Sequence, residues 1–270
     1  MQHRTDRQFI VTTSRRPTDA QWAEAAHWAE RLDAPLVARR GGIDTTCEFH
    51  GVIGAVVVGA DRVTYHEPAT DLQYFYHPGM ARVRMQSIRR GRGDPMVSAM
   101  RLQPGDGVLD CTLGRASDAI VAAHVVSDAG RVVGLEVSPL IAQLTIHGLA
   151  TYEDSSPRLT AAMRRIEAHQ RDYREYLPQA DADAFDVVYF DPIFHAAVEG
   201  SEQMVALREL GDSSALDSEA VLEARRVARR CVVIKQRYGT PLWEQLGVDT
   251  VIGNPSTRVQ YGVIEADREA

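Results

Sequence analysis

From Pro104 onward the chain alternates between short β-branched runs and helical stretches, and this alternation limits the possible folds more than any other feature. Residues 108–110 read as a buried strand, 116–127 as a helix and 131–136 as a second strand. Ser138 is placed to cap a helix that Pro139 begins and that runs to about residue 150, because proline's fixed φ suits the first helical position. A further helix is expected over about 157–167. Residues 185–190 form a strand too apolar for a wetted face, and a helix over 218–229 feeds a strand over 231–235. Strands near 249–252 and 258–264 complete the pattern. Strands separated by helices imply βαβ units, hence an α/β fold with a parallel sheet.

Residues 1–75 read as a small N-terminal α/β domain, with a strand over 9–13, a helix over 19–32 and a hairpin joining 52–58 to 62–65. Residues 76–103 are an Arg- and Gly-rich connecting segment, and 104–270 form the main domain. The longest apolar runs, 52–58 and 121–126, fall far short of the roughly 18 residues of a membrane span. No secretory segment follows Met1, so a cytoplasmic protein without membrane attachment is expected. Cys47, Cys111 and Cys231 are too few and too scattered for a disulfide framework or a metal site, and none is expected.

A net charge of −7 argues against a globally basic nucleic-acid binder, yet Arg82, Arg84, Arg89, Arg90 and Arg92 form a run without an intervening acid. Such a run is either a solvated face or a patch for a phosphate backbone. Of the 30 basic residues Lys235 is the sole lysine, at the carboxyl end of the strand over 231–235. Ligands bind at that edge of an open α/β sheet, where an ammonium could hold a base carbonyl or a phosphate.

The first strand runs into Asp110, Thr112 and Gly114, and Glu136 ends the second strand about 20 residues beyond that turn. Gly114 lets a ligand approach the backbone, Asp110 can attract a cation, and Glu136 can accept hydrogen bonds from ribose hydroxyls. A dinucleotide site would need G-x-G-x-x-G for its pyrophosphate, but Gly114 stands alone, with Asp110 and Asp118 placed to repel phosphate. S-adenosyl-L-methionine carries a sulfonium and no phosphate, so it suits these acids and a nicotinamide cofactor does not. The third strand runs into Asp191, Pro192, Ile193 and Phe194, the arrangement used to methylate exocyclic amines. The acid and a proline-fixed carbonyl orient the amine, and the aromatic ring stacks on the base.

Over roughly residues 85–240 the chain resembles the 16S ribosomal RNA guanine-N2 methyltransferase family and its uncharacterised Gram-positive relatives. The resemblance rests on the stretches 91–93, 110–118, 187–194 and 232–235, with Ala116 and Ser117 standing where the family pattern has Gly and Arg, and His195 where it has Pro. It implies a Rossmann-like class I methyltransferase fold, with a seven-stranded, mostly parallel sheet and helices on both faces. It further implies cofactor contacts from Ser117, Asp118, Glu136, Val137, Asp191 and the turn near Arg171 and Asp172. Ribosomal RNA or the small ribosomal subunit would be the partner, with Arg89, Arg90 and Arg92 along its path. Two other readings stand beside amino-directed methylation of RNA: a protein or small-molecule acceptor, and a non-catalytic binding module on the same scaffold.

Overall fold

The computed structural model describes residues 8–192, 202–212, 214–254 and 258–266. In the N-terminal part, β1 (Phe9–Thr13), α1 (Asp19–Arg31), α2 (Ile43–His50), β2 (Gly54–Val58), β3 (Val63–Glu67) and β4 (Leu72–Phe75) build a four-stranded sheet in the order β1-β2-β3-β4. β1 runs parallel to β2, because α1 crosses between them, and the remaining pairs are antiparallel hairpins. Thr18 and Gln21 form a reciprocal capping box that fixes the start of α1. α2 and β4 escape the sequence pattern: α2 has just two buried residues, and β4 is four residues long.

Residues 76–103 hold two helices, α3 (Ala81–Arg89) and α4 (Pro95–Met100), rather than a simple connector. Their Ala81, Met85, Met96, Ala99 and Met100 are buried in the same core as the large sheet. The arginines and glycines obscure this, since so few apolar residues mark the inward face. Tyr76 also packs there, where a Cβ on Gly148 would lie 2.0 Å from its ring. Glycine at 148 is therefore what lets the segment seat against the following domain.

The large sheet contains β5 (Gly107–Asp110), β6 (Arg131–Glu136), β7 (Ile166–Gln170), β8 (Phe185–Phe190), β9 (Ala228–Arg237), β10 (Thr250–Asn254) and β11 (Val259–Glu265). Their order is β10-β11-β9-β8-β5-β6-β7, and β11 alone runs against its neighbours. The connecting helices are α5 (Ser117–Val126), α6 (Pro139–Thr151), α7 (Pro157–Met163), α8 (Tyr173–Tyr176), α9 (Glu202–Leu210), α10 (Ser218–Val227) and α11 (Leu242–Gln245). Helices cover both faces, giving the Rossmann-like α/β architecture expected from the sequence.

The sequence pattern predicts a helix to about 167, but α7 stops at Met163 and β7 begins at Ile166. β7 is a half-exposed edge strand of Ile, Glu, Ala, His and Gln, so it carries neither the alternation nor the β-branched run of an inner strand. Side chains alternate cleanly elsewhere: Val187, Tyr189, Cys231 and Val233 face one core, and Val188, Phe190, Val232 and Ile234 face the other. Among the described residues no helix is long and apolar enough to cross a membrane.

Candidate active site

The order β9-β8-β5-β6-β7 means that the chain winds outward from β5 through β6 and β7 and then, from β8 to β9, in the opposite direction, and this reversal between β5 and β8 opens a crevice at the carboxyl ends of the strands. A cavity of about 430 Å³ lies there, within the roughly 300–1,000 Å³ of small-molecule sites. Asp110, Thr112, Gly114, Ser117, Asp118, Glu136, Val137, Asp191, Pro192 and Lys235 all line it. Residues as distant in sequence as Asp110 and Lys235 thus meet at one sheet edge. Phe194 lies outside the described residues.

The turn after β5 is built on backbone geometry. Gly114 has φ +50 and Ala116 has φ +60, both left-handed, where glycine is comfortable and alanine is strained. Ala116 occupies the position at which the resembled pattern carries Gly, and this backbone conformation is the physical reason. The Gly114 amide donates to Glu136 Oε2 and the Ser138 amide to Oε1, both at 2.9 Å. Burial raises Glu136 to about 7, with the amides of Ser138 and Gly114 opposing the shift. Asp110 is buried and lies well above the ordinary carboxylate range, through burial first and the charge of Asp118 second.

At the other end of the cavity, the Asp191 amide donates to Thr112 Oγ1 at 2.6 Å, fixing the end of β8 against the turn after β5. Lys235 donates to Asp191 Oδ2 at 2.7 Å and to Asp118 Oδ2 at 2.9 Å. Tyr189 donates its hydroxyl to the same Asp118 oxygen at 2.9 Å, and Arg84 donates to the other one. Burial pushes Asp191 up to about 6, with Lys235 pulling it down and Asp118 pushing it further up. Asp118 is also desolvated, but Lys235 and Arg84 hold it well below the usual range.

Several residues expected at the site fall outside the cavity lining. Arg171 and Asp172 sit beside it: the Arg171 amide donates to the Glu136 carbonyl, and Asp172 caps α8, which brings Tyr173 to the cavity wall. Arg89, Arg90 and Arg92 are exposed at and beyond the end of α3, while Arg84 of the same run turns inward. Lys235 lines the cavity but is engaged by two carboxylates, so its ammonium points at acids of its own chain. Met80, Arg84, Tyr173, Asp212, Val259 and Tyr261 also line the cavity, although the sequence pattern assigns none of them to the cofactor or the chemistry. They come from α3, α8 and β11 or lie between elements, and no local motif marks them.

The cavity lining includes five carboxylates, Asp110, Asp118, Glu136, Asp191 and Asp212, against the cations Arg84, Arg115 and Lys235. Asp110 and Glu136, both shifted upward by burial, gain ionisation when a cation lies beside them, so this set of acids suits a cationic ligand and opposes a pyrophosphate. Glu136, at the tip of β6, is placed to accept from vicinal hydroxyls, and Asp110 faces the turn where a sulfonium would be favoured. The residues therefore fit S-adenosyl-L-methionine. Glu136→Ala should weaken binding of S-adenosylhomocysteine by about 1 to 3 kcal/mol, as expected for the removal of charge-assisted hydrogen bonds. Because Glu136 titrates near 7 and accepts best when ionised, wild-type affinity should also fall as the pH drops below that value. Titration calorimetry from pH 6 to 8 checks both, and an affinity unchanged by the mutation would remove Glu136 from the cofactor site.

Comparison with known proteins agrees with this chemistry. The family model for SAM-dependent methyltransferases matches residues 63–260. The uncharacterised YpiP protein of Bacillus subtilis is 36% identical over 256 residues, covering 95% of this chain and 99% of that protein. Ribosomal RNA small subunit methyltransferase J of Pseudomonas paraeruginosa is 32% identical over 241 residues, covering 83% and 84% of the two chains. Among solved structures, a SAM-dependent methyltransferase of Neisseria gonorrhoeae superposes with a TM-score of 0.63 at 17% identity, over 95% of this chain and 96% of that one. This chain belongs to the SAM-dependent methyltransferase family, as an enzyme whose cofactor is S-adenosyl-L-methionine.

Proposed function

We propose that the methyl acceptor is an exocyclic amino group of a base in ribosomal RNA, guanine N2 being favoured, with the small ribosomal subunit or its RNA as partner. The observation that carries this reading is the position of Asp191. It stands at the tip of β8, followed by Pro192, in the same cavity as the cofactor residues and beside a strand pair that leads away from them. Cofactor residues cluster on β5 and β6, whereas Lys235, Val259 and Tyr261 lie on β9 and β11, on the other side of β8. A base entering over β9 and β11 would meet Asp191 before it met the cofactor.

S-adenosyl-L-methionine supplies an electrophilic methyl group when bound. Asp191 would accept one N–H of the amine, which aims the nitrogen lone pair, and would take up the proton released as the N–C bond forms and the methyl–sulfur bond breaks with its electron pair left on sulfur. A carboxyl group raised to about 6 is ionised at neutral pH yet basic enough to take that proton. Carboxylate acceptors are disfavoured, because they would be brought among the acids of the cavity. A protein amine remains the alternative acceptor. The relatives named ribosomal RNA small subunit methyltransferase J support the RNA reading, and so do the exposed Arg89, Arg90 and Arg92. We further propose a cytoplasmic location and the division into residues 1–75, 76–103 and 104–270, with the middle segment serving the active site.

The direct test is transfer of labelled methyl groups to deproteinised ribosomal RNA, to assembled small subunits and to total protein. Label in RNA supports the proposal, and label in protein alone would replace it. For the arginines, each phosphate that a substitution leaves without its cation should lower the salt slope of RNA binding by roughly 0.7 to 0.9. An Arg89→Gln, Arg90→Gln, Arg92→Gln variant that binds with the original affinity and slope would show that these side chains are merely solvated.

A further inference from the structure

Five charges of alternating sign run from helix α4 to the end of β8. Asp94 caps α4 by accepting from the amides of Met96 and Val97, and accepts from Arg84 Nε at 2.8 Å and Nη2 at 3.0 Å. The remaining guanidinium nitrogen of Arg84, Nη1, donates to Asp118. Asp118 also accepts from Tyr189 and Lys235, and Lys235 ends the chain on Asp191. Three acids and two bases leave one net negative charge, and the other four side chains come from outside the strand that leads into Asp191.

We propose that Arg84 and Asp118 are positioning residues which, through Lys235, set the orientation and proton affinity of Asp191, so that helix α3 completes the active site. This rests on the amine-directed reading of Asp191. The geometry requires such a coupling. Lys235 is shared between Asp118 and Asp191, so whatever draws it toward one releases the other. Asp118 would take the ammonium entirely if it stood alone, because a buried carboxylate without partners is costly. Arg84 and Tyr189 satisfy the rest of Asp118 and leave Lys235 free to hold Asp191. The fork of Arg84 is suited to this task, since it spans two carboxylates where an ammonium is a single point.

The groups that face Asp191 from the surrounding elements are Asp110 on β5, Asp118 on α5, Tyr189 on β8 and Lys235 on β9, with Tyr261 of β11 beside Lys235 and with Arg84 and Asp94 behind Asp118. Deleting the charge of Asp118 removes a repulsion and gives Lys235 wholly to Asp191. Deleting Arg84 does the reverse, because Asp118 then competes harder for the ammonium. The two changes must move the titration of Asp191 in opposite directions, which a merely structural role for either residue would not do.

The test is the pH dependence of single-turnover methyl transfer on whichever acceptor the wild-type enzyme labels. The acid limb should shift down in Asp118→Asn and up in Arg84→Met, by about one pH unit each. Tyr189→Phe, which removes one donor from Asp118 with little change of shape, should shift it up by less and keeps the test open if Arg84→Met does not fold. Limbs that stay at the wild-type position, or that move the same way in the Asp118 and Arg84 variants, overturn the proposal. Asp191→Ala, which leaves no acceptor at that position, serves as the control for the underlying reading: if it keeps full activity, the amine-orienting role itself is wrong.

Discussion

Asp191→Ala should lower methyl transfer by at least about a hundredfold, as expected when the group that positions a reactant is removed. The substitution deletes the acceptor for the amine N–H and the carboxylate that would take its proton. It leaves the strand intact, because β8 is held by parallel pairing with β5 and β9 and by burial of Val187, Val188 and Phe190. S-adenosylhomocysteine affinity should change far less than the rate, since Gly114 and Glu136 lie at the other end of the cavity. Single-turnover measurements with cofactor in excess separate the two effects. A variant that transfers methyl groups at the wild-type rate would sink the amine-directed mechanism for any acceptor.

The second large effect is expected at Lys235. Lys235→Met keeps the length of the side chain and removes the ammonium shared by Asp118 and Asp191. Asp118 retains Arg84 and Tyr189, while Asp191 loses its hydrogen-bonded cation. Both side chains are partly open to the cavity, and Asp191 can take up a proton once its cation is gone, so the cost should be that of an unsatisfied polar partner, about 1 to 3 kcal/mol. For a chain of this length that corresponds to a fall in Tm of roughly 2 to 12 °C. Lys235→Arg separates charge from shape. A planar guanidinium is bulkier and donates along fixed directions, so it should not reproduce both hydrogen bonds, and activity should fall although the charge is kept. Arg16→Lys, at an exposed position, is the control for the effect of exchanging the two bases. Full activity and an unchanged Tm in Lys235→Arg would show that any cation suffices at this position of β9.

Lys235 also shows how far the sequence reaches. Its solitary occurrence and its expected place at the end of an apolar strand point to the ligand-binding edge of the sheet; β9 in fact runs on to Arg237, but the Lys235 side chain does line the cavity. The sequence does not show that two acids of the same chain claim its ammonium, because Asp118 and Asp191 lie 117 and 44 residues away from it. Arg84 illustrates the same limit. Within an arginine run it looks like any other surface cation, but helical spacing turns it toward Asp94 and Asp118 while Arg89 and Arg90 face outward.

What the sequence by itself determined is what depends on neighbours along the chain. Short, nearly continuous apolar runs marked the inner strands β5, β6, β8 and β9, the proline and cap residues marked the start of α6, and the acids at strand ends marked Asp110, Glu136 and Asp191. Each is a local pattern tied to backbone periodicity or to a turn, so each survives without knowledge of the fold. The tertiary structure decided what depends on residues distant in sequence. It ended α7 early and opened the edge strand β7 at Ile166, since sheet pairing can recruit a polar segment with no strand signal of its own. It folded the Arg- and Gly-rich segment into α3 and α4 and brought Arg84 to Asp118. It also decided which strand ends line the cavity, β5 and β6 on one side of β8 and β9 and β11 on the other, because strand order in a sheet is set by crossover connections and core packing, which no stretch of sequence encodes alone.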